Sequence, residues 1–469
     1  MKDYTKHNES SQLSFSDLLC ESRVELEGNT EVRSVLSSSD RGQDGVSKCV
    51  PDLLDLILDR KNMSSAYKCV KSNKGSCGID GMSVDKLFAH LKENGSMLIQ
   101  QIKAGEYIPQ AVRRVEIPKP DGGVRLLGIP TVTDRVIQQA IAQVLSPLFD
   151  AQFSDSSYGF RKNRRAKQAI NKSLEYINAG YSYVVDIDLA KYFDTVNHDI
   201  LMGVLARSIK DKVLLKLIRK YLQSGVMING VVESTSEGTP QGGNLSPLLS
   251  NIMLNELDKE LERRGLRFCR YADDCNIYVR SEKAALRVMS SITRFIEVKL
   301  KLKVNQSKSK VGRPIELKFL GFSYYQLRGV TRTRVHPKSV DKLKAKLKEI
   351  TGRSNAKSMT KRFAELKRVI VGWVNYFAMA DFKQIAHRLD EWLRRRIRMC
   401  FWKQWKKTKT KRNNLVKLGL KPNVSWMYAN TRKSYWRIAL SPILATTLNN
   451  NYLKSIGFQS ILDRYLLKH

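Results

Sequence analysis

The chain has 469 residues and carries 82 Lys and Arg against 45 Asp and Glu, a formal net charge of +37. So large a positive excess calls for a polyanionic partner, with nucleic acid first among them. Hydrophobic residues at 42% exclude wholesale disorder, no apolar run approaches the ~20 residues that cross a bilayer, and the seven cysteines include no Cys-x-x-Cys pair, which argues against zinc, membrane insertion and a disulfide-stapled secreted fold.

Residues 1–50 hold six Lys and Arg against nine Asp and Glu, so the remaining 419 residues carry +40. This polar, Ser-rich extension has no apolar signal core and is expected to be flexible. A mixed α+β region follows from about Pro51 to about Tyr325, punctuated by Gly122-Gly123, Gly180, Gly242-Gly243 and Gly321. Lys119 and Arg125 flank the turn Asp121-Gly122-Gly123, a hairpin with basic arms that could meet a triphosphate.

In Tyr181–Asp199, Tyr183, Val185, Ile187 and Leu189 alternate with Val184, Asp186 and Asp188, which predicts a strand with one acidic face and a helix starting at Lys191-Tyr192-Phe193-Asp194. Spacing alone leaves Asp186 and Asp188 equivalent. Thr239–Gly243 reads as a loop that lets backbone approach a ligand, with a helix beginning near Ser246-Pro247. Phe268–Val279 (FCRYADDCNIYV) predicts a hairpin with Asp273 and Asp274 at its tip. Adjacent carboxylates at a turn repel unless a cation neutralises them, and hard oxygen ligands suit Mg²⁺. Three acids from two strands supply the parts of a two-metal site.

From Arg328 to Arg437 there are 31 Lys and Arg against six Asp and Glu, with helical periodicity. Val340, Leu343, Leu347 and Ile350 form one stripe; Leu389, Trp392, Leu393, Ile397, Cys400, Phe401 and Trp405 form another. Arg394, Arg395, Arg398 and Lys403 are expected to face outward, Trp392 and Trp405 inward, and Trp402 to be the exposed ring.

These motifs resemble a known family. Tyr271-Ala272-Asp273-Asp274 is similar to the YxDD box of reverse transcriptases, and Asp188–Asp194 to their first catalytic strand. Arg125–Pro130 with Asp134-Arg135 resembles a fingers motif, Thr239–Gly243 with Ser246–Asn251 the template-binding motif, and Leu317–Phe322 the primer grip. Gly372–Phe377 and Leu389–Lys407 are similar to the maturase, or X, domain of group II intron-encoded proteins, and Asn244-Leu245 to the bacterial class-C subgroup. Two departures are Leu126 in place of a proline and Phe160–Arg165 in place of FRPGRS. No Cys follows Cys400, and His469 alone among the histidines does, so an endonuclease domain is not expected.

The resemblance implies an α+β right-hand polymerase, with fingers and a palm on an antiparallel sheet, followed by an all-α basic thumb/maturase domain. The implied boundaries are 51–180 for the fingers, 181–327 for the palm, 328–424 for the thumb/maturase domain and 425–469 for a tail that could bind DNA. It selects Asp188, Asp273 and Asp274 as catalytic ligands of two Mg²⁺ ions. Lys119, Arg125, Phe193, Gln241 and Lys308 become nucleotide-binding residues, with Phe193 the gate against a 2′-hydroxyl, and Leu320 and Gly321 form the primer grip. Lys310 competes with Lys308. The implied activity is RNA-directed DNA polymerisation with maturase assistance to splicing during retrohoming, as a cytoplasmic bacterial ribonucleoprotein. Its partners are group II intron RNA, an RNA template and DNA primer, dNTP and target DNA. The rivals are an RNA-binding splicing factor alone, or a retron, diversity-generating or defence reverse transcriptase.

Overall fold

A computed structural model describes residues 52–118, 122–228 and 230–469. The N-terminal extension 1–50 and Lys119 lie outside them. The chain divides into two compact units, the first taking residues up to 169 together with 181–311, the second 170–180 with 312–469.

The first unit begins with helices α1 (Leu53–Leu58), α2 (Arg60–Asn73) and α3 (Leu87–Lys103), then strands β1 (Val112–Pro118) and β2 (Val124–Ile129). Helix α4 (Val132–Asp150) follows; its N-cap Thr131 accepts a hydrogen bond from the Asp134 amide, which satisfies an otherwise orphaned donor. Asp134 itself is buried and accepts from Tyr107 Oη at 2.7 Å and Thr131 Oγ1 at 2.6 Å, so this acid of the fingers motif braces the fold. Helix α5 (Ala166–Asn178) runs across the division between units. Strand β3 (Tyr183–Ile187) leads to α6 (Tyr192–Thr195), α7 (His198–Ser208), α8 (Lys212–Leu222) and a short hairpin of β4 (Val226–Ile228) and β5 (Val231–Glu233). Helix α9 (Ser246–Arg263) has Pro247 in its first turn, where the missing N–H costs nothing. Leu248 through Asn255 are all buried, which makes α9 the central helix of this unit. The hairpin β6 (Arg267–Tyr271) and β7 (Asp274–Val279), helix α10 (Glu282–Val298) and strand β8 (Lys310–Gly312) complete it.

Two four-stranded sheets result. One has the order β2-β1-β4-β5, the other β6-β7-β3-β8. In the second, β7 runs antiparallel to both β6 and β3, with Ile187 opposite Cys275 and Asp186 opposite Asn276.

The second unit opens with the antiparallel hairpin β9 (Phe322–Leu327) and β10 (Val330–Val335) and is helical from there on. Its helices are α11 (Pro337–Ile350), α12 (Met359–Phe377), α13 (Lys383–Gln404), α14 (Thr408–Lys417), α15 (Pro422–Ala429), α16 (Tyr435–Ile438), α17 (Pro442–Thr447), α18 (Asn450–Ser455) and α19 (Ile461–Leu466). The last of these docks on α13 through Asp390, which is buried and accepts from Ser460 Oγ at 2.6 Å and from the amides of Ile461 and Leu462 at 2.9 Å.

The outward-facing expectation for the basic helix holds for Lys403, which is exposed, and needs correction for Arg395 and Arg398. Arg395 donates to the Trp436 carbonyl, Arg396 to the carbonyls of Lys348 and Thr351, and Arg398 to Leu448. Trp402 is buried at 1% exposure against Leu415, Ile438, Leu444 and Leu448, while Trp392 and Trp405 are only partly covered. Helix α13 has α11, α16 and α19 among its packing neighbours.

Candidate active site

The acidic cluster follows from strand register. In an antiparallel pair, opposite residues share a face. With Ile187 opposite Cys275, continuing the register by one residue sets Asp188 beside Asp274, on the face that also carries Asp186 and Asn276. Asp273 occupies the two-residue turn between β6 and β7, after Ala272 at φ 57°.

The electrostatics report the same proximity. Burial, and then the charges of Asp274 and Asp188, push the Asp186 carboxyl up to about 7; Lys310 opposes this. The Asp273 carboxyl is raised chiefly by burial and then by Asp188, while Arg125 and Arg270 oppose the rise. Asp186 thus feels the charges of Asp274 and Asp188, and Asp273 that of Asp188. Among the described residues no group of three or more His, Cys, Asp or Glu side chains is placed so as to hold a metal ion. The donor chemistry of the cluster, carboxylate oxygens alone, nevertheless suits a hard divalent cation, which keeps several waters and needs few protein ligands. Asp188, Asp273 and Asp274 are the residues that would hold it.

Buried polar contacts fix this turn. Arg270, fully buried, donates through Nε and Nη2 to Asp258 at 2.7 and 2.5 Å, and through Nη1 to Asn251 at 3.1 Å and the Ala272 carbonyl at 3.0 Å. Asn251 in turn donates to the Gly159 carbonyl at 2.8 Å. The segment Ser156–Gly159 runs beside β6: Arg270 N donates to Ser156 O and Tyr158 N to Arg270 O, both at 2.9 Å. Gly159 lies so close beneath the hairpin that a Cβ there would overlap Ala272 N. On the β3 side, Ser309 Oγ accepts from Asp188 N at 3.1 Å, and Asn305 N donates to Asp188 O at 2.8 Å. Arg270 stands inside the motif FCRYADD, and a charged residue in so apolar a strand is a signal that an acid must meet it. Gly159 and Ser309 carry no local signal.

The other candidates assemble from three segments. Thr239 N donates to Phe193 O at 2.6 Å, and Gly128 N to Gln241 O at 2.7 Å, so the Gln241 loop bridges the start of α6 and strand β2. His198 Nε2 donates to Gly238 O at 2.7 Å and steadies the same loop. Phe193 is half-buried, edge-on to Tyr192 at 5.2 Å between centroids. Arg125 is exposed on β2 and close enough to Asp273 to act on its charge. Lys308 and Lys310 are both exposed, but it is Lys310, on β8, that acts on the acidic cluster. In the second unit, Leu320 at φ 49° and Gly321 at φ 87° form a tight turn closed by Phe322 N on Phe319 O at 2.8 Å. Tyr376 Oη donates to Leu320 O at 2.9 Å, and a Cβ on Gly321 would press on Phe377 at 3.1 Å.

The Asp186 shift has a testable sign. A carboxyl raised from 3.8 to about 7 on folding is protonated in the folded chain and ionised in the unfolded one between these values. Folding stability is therefore lost as pH rises through that window. In metal-free buffer, Asp186→Asn should leave stability unchanged below pH ~4 and raise it progressively up to pH ~7, by at most about 4 kcal/mol. Chemical denaturation across pH 4–8 reads the difference, and a gain independent of pH would show that carboxylate burial and repulsion are not its source.

Among the described residues no helix is long and apolar enough to cross a membrane. Residues 117–324 match the family described as reverse transcriptase (RNA-dependent DNA polymerase), and 340–419 the group II intron maturase-specific domain. Protein YkfC of Escherichia coli (strain K12) is 34% identical over 299 residues, 55% of this chain and 78% of that protein. Group II intron-encoded protein LtrA of Lactococcus lactis subsp. cremoris is 36% identical over 233 residues, 50% of this chain and 39% of LtrA. The putative COX1/OXI3 intron 2 protein of Saccharomyces cerevisiae is 34% identical over 45% of this chain and 25% of its own length. With acids on an antiparallel sheet inside the first match and a basic helical unit holding the second, the chain belongs to the group II intron reverse transcriptase/maturase family.

Proposed function

We propose that the protein adds dNTPs to the 3′-hydroxyl of a DNA primer on an RNA template, and that it also binds its group II intron RNA and assists its splicing and retrohoming. The observation that carries the polymerase half is the register that sets Asp188 beside Asp274, with Asp273 in the adjoining turn. Asp188, Asp273 and Asp274 would hold two Mg²⁺ ions, which when bound would acidify the primer hydroxyl and offset charge on the leaving pyrophosphate. Arg125 would meet the triphosphate, with Lys119 beside it; Lys308 or Lys310 would stand near the leaving group. The Gln241 loop, whose backbone is tied to Phe193 and Gly128, would orient template and nucleotide. Leu320 and Gly321 would contact the primer strand.

We assign the fingers to 51–180, the palm to 181–327, the thumb/maturase domain to 328–424 and a region for target DNA to 425–469. A net of +25 between Arg328 and Arg437 supports RNA binding by the helical unit, since such a surface repels itself without a polyanion. The working form would be a ribonucleoprotein in a bacterial cytoplasm.

The test is extension of a DNA primer on an RNA template with dNTPs and Mg²⁺, alongside splicing of the cognate intron at limiting Mg²⁺. Dependence of both on the protein supports the reading. Splicing assistance without any extension would leave a splicing factor alone. Phe193 adds a specificity prediction: Phe193→Val should raise the rNTP-to-dNTP incorporation ratio at least ~10-fold, because the side chain at that position excludes the 2′-hydroxyl. An unchanged ratio would remove the gate.

A further inference from the structure

The second unit contains a cleft of about 350 Å³ lined by Asp341, Lys344, Ala345 and Lys348 of α11, Trp392 and Arg396 of α13 and Trp436 of α16. No proposed polymerase residue borders it. We infer that this cleft takes one unstacked nucleotide of the folded intron RNA, its base against the tryptophans and its phosphate on Lys344 and Lys348; this rests on the reading that the helical unit binds that RNA.

Size, aromatic content and charge each narrow the occupant. Ligand pockets span ~300–1,000 Å³, so this one admits a single nucleotide and no duplex. Extrahelical bases are recognised by stacking on aromatic rings and guanidinium planes. Both kinds of surface are already in place. The Arg396 guanidinium lies 5.3 Å from the Trp392 centroid, and Arg395 stacks on Trp436 at 3.8 Å. Neither arginine needs to be ordered by the ligand. Arg396 Nε donates to Thr351 Oγ1 at 2.6 Å and its Nη2 to the Lys348 carbonyl at 3.1 Å, while Arg395 donates to the Trp436 carbonyl at 3.0 Å. Lys344 Nζ lies 5.6 Å from the Trp392 centroid, and neither Lys344 nor Lys348 forms an ion pair among the described residues. Four cations line or adjoin the cleft against one carboxylate, Asp341, a balance that suits a phosphate. Asp341 can accept from a ribose 2′-hydroxyl or an exocyclic amine, which favours RNA over a bare anion.

The experiment measures equilibrium binding of the full chain to the intron RNA and to an unrelated structured RNA of equal length. The variants are Trp392→Ala and the double substitution Lys344→Glu/Lys348→Glu, each checked by its melting temperature. Wild type should prefer the intron RNA. Stacking of one base on an aromatic ring is worth about ten-fold in affinity or more. Trp392→Ala should therefore weaken intron binding about ten-fold and control binding less than three-fold, and substitution of the lysine pair, both of whose side chains are exposed, should do the same. Ultraviolet crosslinking should join one intron nucleotide to a peptide holding Trp392 or Trp436, and making that nucleotide abasic should remove the effect of Trp392→Ala. Equal weakening toward both RNAs would overturn the cleft as a nucleotide site and leave a general basic surface. Retained preference in every variant would overturn the cleft alone. No preference in wild type would overturn the intron-binding reading and the cleft with it.

Discussion

Asp273→Asn is expected to lower dNTP incorporation by about 10³-fold or more while changing affinity for intron RNA less than three-fold. The asparagine keeps the size of the side chain and removes its charge. Asp273 lies in the turn of the β6–β7 hairpin, raised in pKa by burial and by Asp188, so it is a carboxylate whose charge the protein alone opposes. Three factors of ten correspond to about 4 kcal/mol of transition-state stabilisation, the scale expected when a metal-holding oxygen is lost. The RNA-binding surface assigned to the helical unit should be untouched. Primer extension and filter binding on the same preparation check both halves, and parallel loss of the two would mean that Asp273 holds the fold.

Gly159→Ala should also damage activity, by about ten-fold less, although Gly159 has no chemistry. Its backbone φ is not in the left-handed region, so conformational freedom is not the issue. The added methyl would overlap Ala272 N and lie 2.9 Å from the Tyr271 carbonyl carbon and 3.1 Å from Ala272 Cα, all backbone atoms of the turn that carries Asp273. Those atoms cannot swing aside as the end of a side chain can. Ala272 is tied to Arg270, which is locked to Asp258 and Asn251 inside the core. Either the hairpin is pushed away or Ser156–Gly159 detaches from β6. Overpacking of this kind costs ~1–3 kcal/mol of stability, and a displacement of about 1 Å at reacting groups can cost ~100-fold in rate. The expected result is a folded protein with a lower melting temperature and primer extension reduced about 100-fold. Activity within two-fold of wild type would show that the turn tolerates the methyl.

The acidic cluster was legible because it rests on short, local patterns. Asp188 and Phe193 lie five residues apart around a strand end, and Tyr271–Asp274 marks a two-residue turn, so the motif survives without any knowledge of long-range contacts. The choice between Asp186 and Asp188 needed the resemblance, since both point to one face. The structure gives Asp186 its own character: it is opposite Asn276 and strongly desolvated, whereas Asp188 lies one residue beyond Ile187, the last paired position of β3. The supports were illegible for a physical reason. Gly159 meets Ala272 across 113 positions and Ser309 meets Asp188 across 121, and nothing in the local composition of either segment encodes such a meeting.

The helical unit shows a different failure. Arg394, Arg395 and Arg398 fall off the apolar stripe of α13, so periodicity turns them to solvent, and the same reasoning exposes Trp402. Periodicity assumes one buried face. In this helix the C-terminal helices cover a second one, so Trp402 enters a core with Leu415, Ile438, Leu444 and Leu448, and Arg395 and Arg398 close carbonyls at the ends of α16 and α17. A guanidinium with five donors is well suited to such carbonyls. Part of the positive charge thus serves internal hydrogen bonding, which holds Arg396 beside Trp392 and Arg395 on Trp436.

The most direct test of the acidic cluster is electron paramagnetic resonance of Mn²⁺ bound to a stalled complex of the protein, an RNA template, a dideoxy-terminated DNA primer and the next dNTP. Two bound ions are expected in wild type and in Asp186→Asn, with loss of site-bound Mn²⁺ in both Asp188→Asn and Asp273→Asn. Undiminished binding in Asp188→Asn, or loss in Asp186→Asn alone, would contradict the assignment of Asp188, Asp273 and Asp274 as the metal-holding acids.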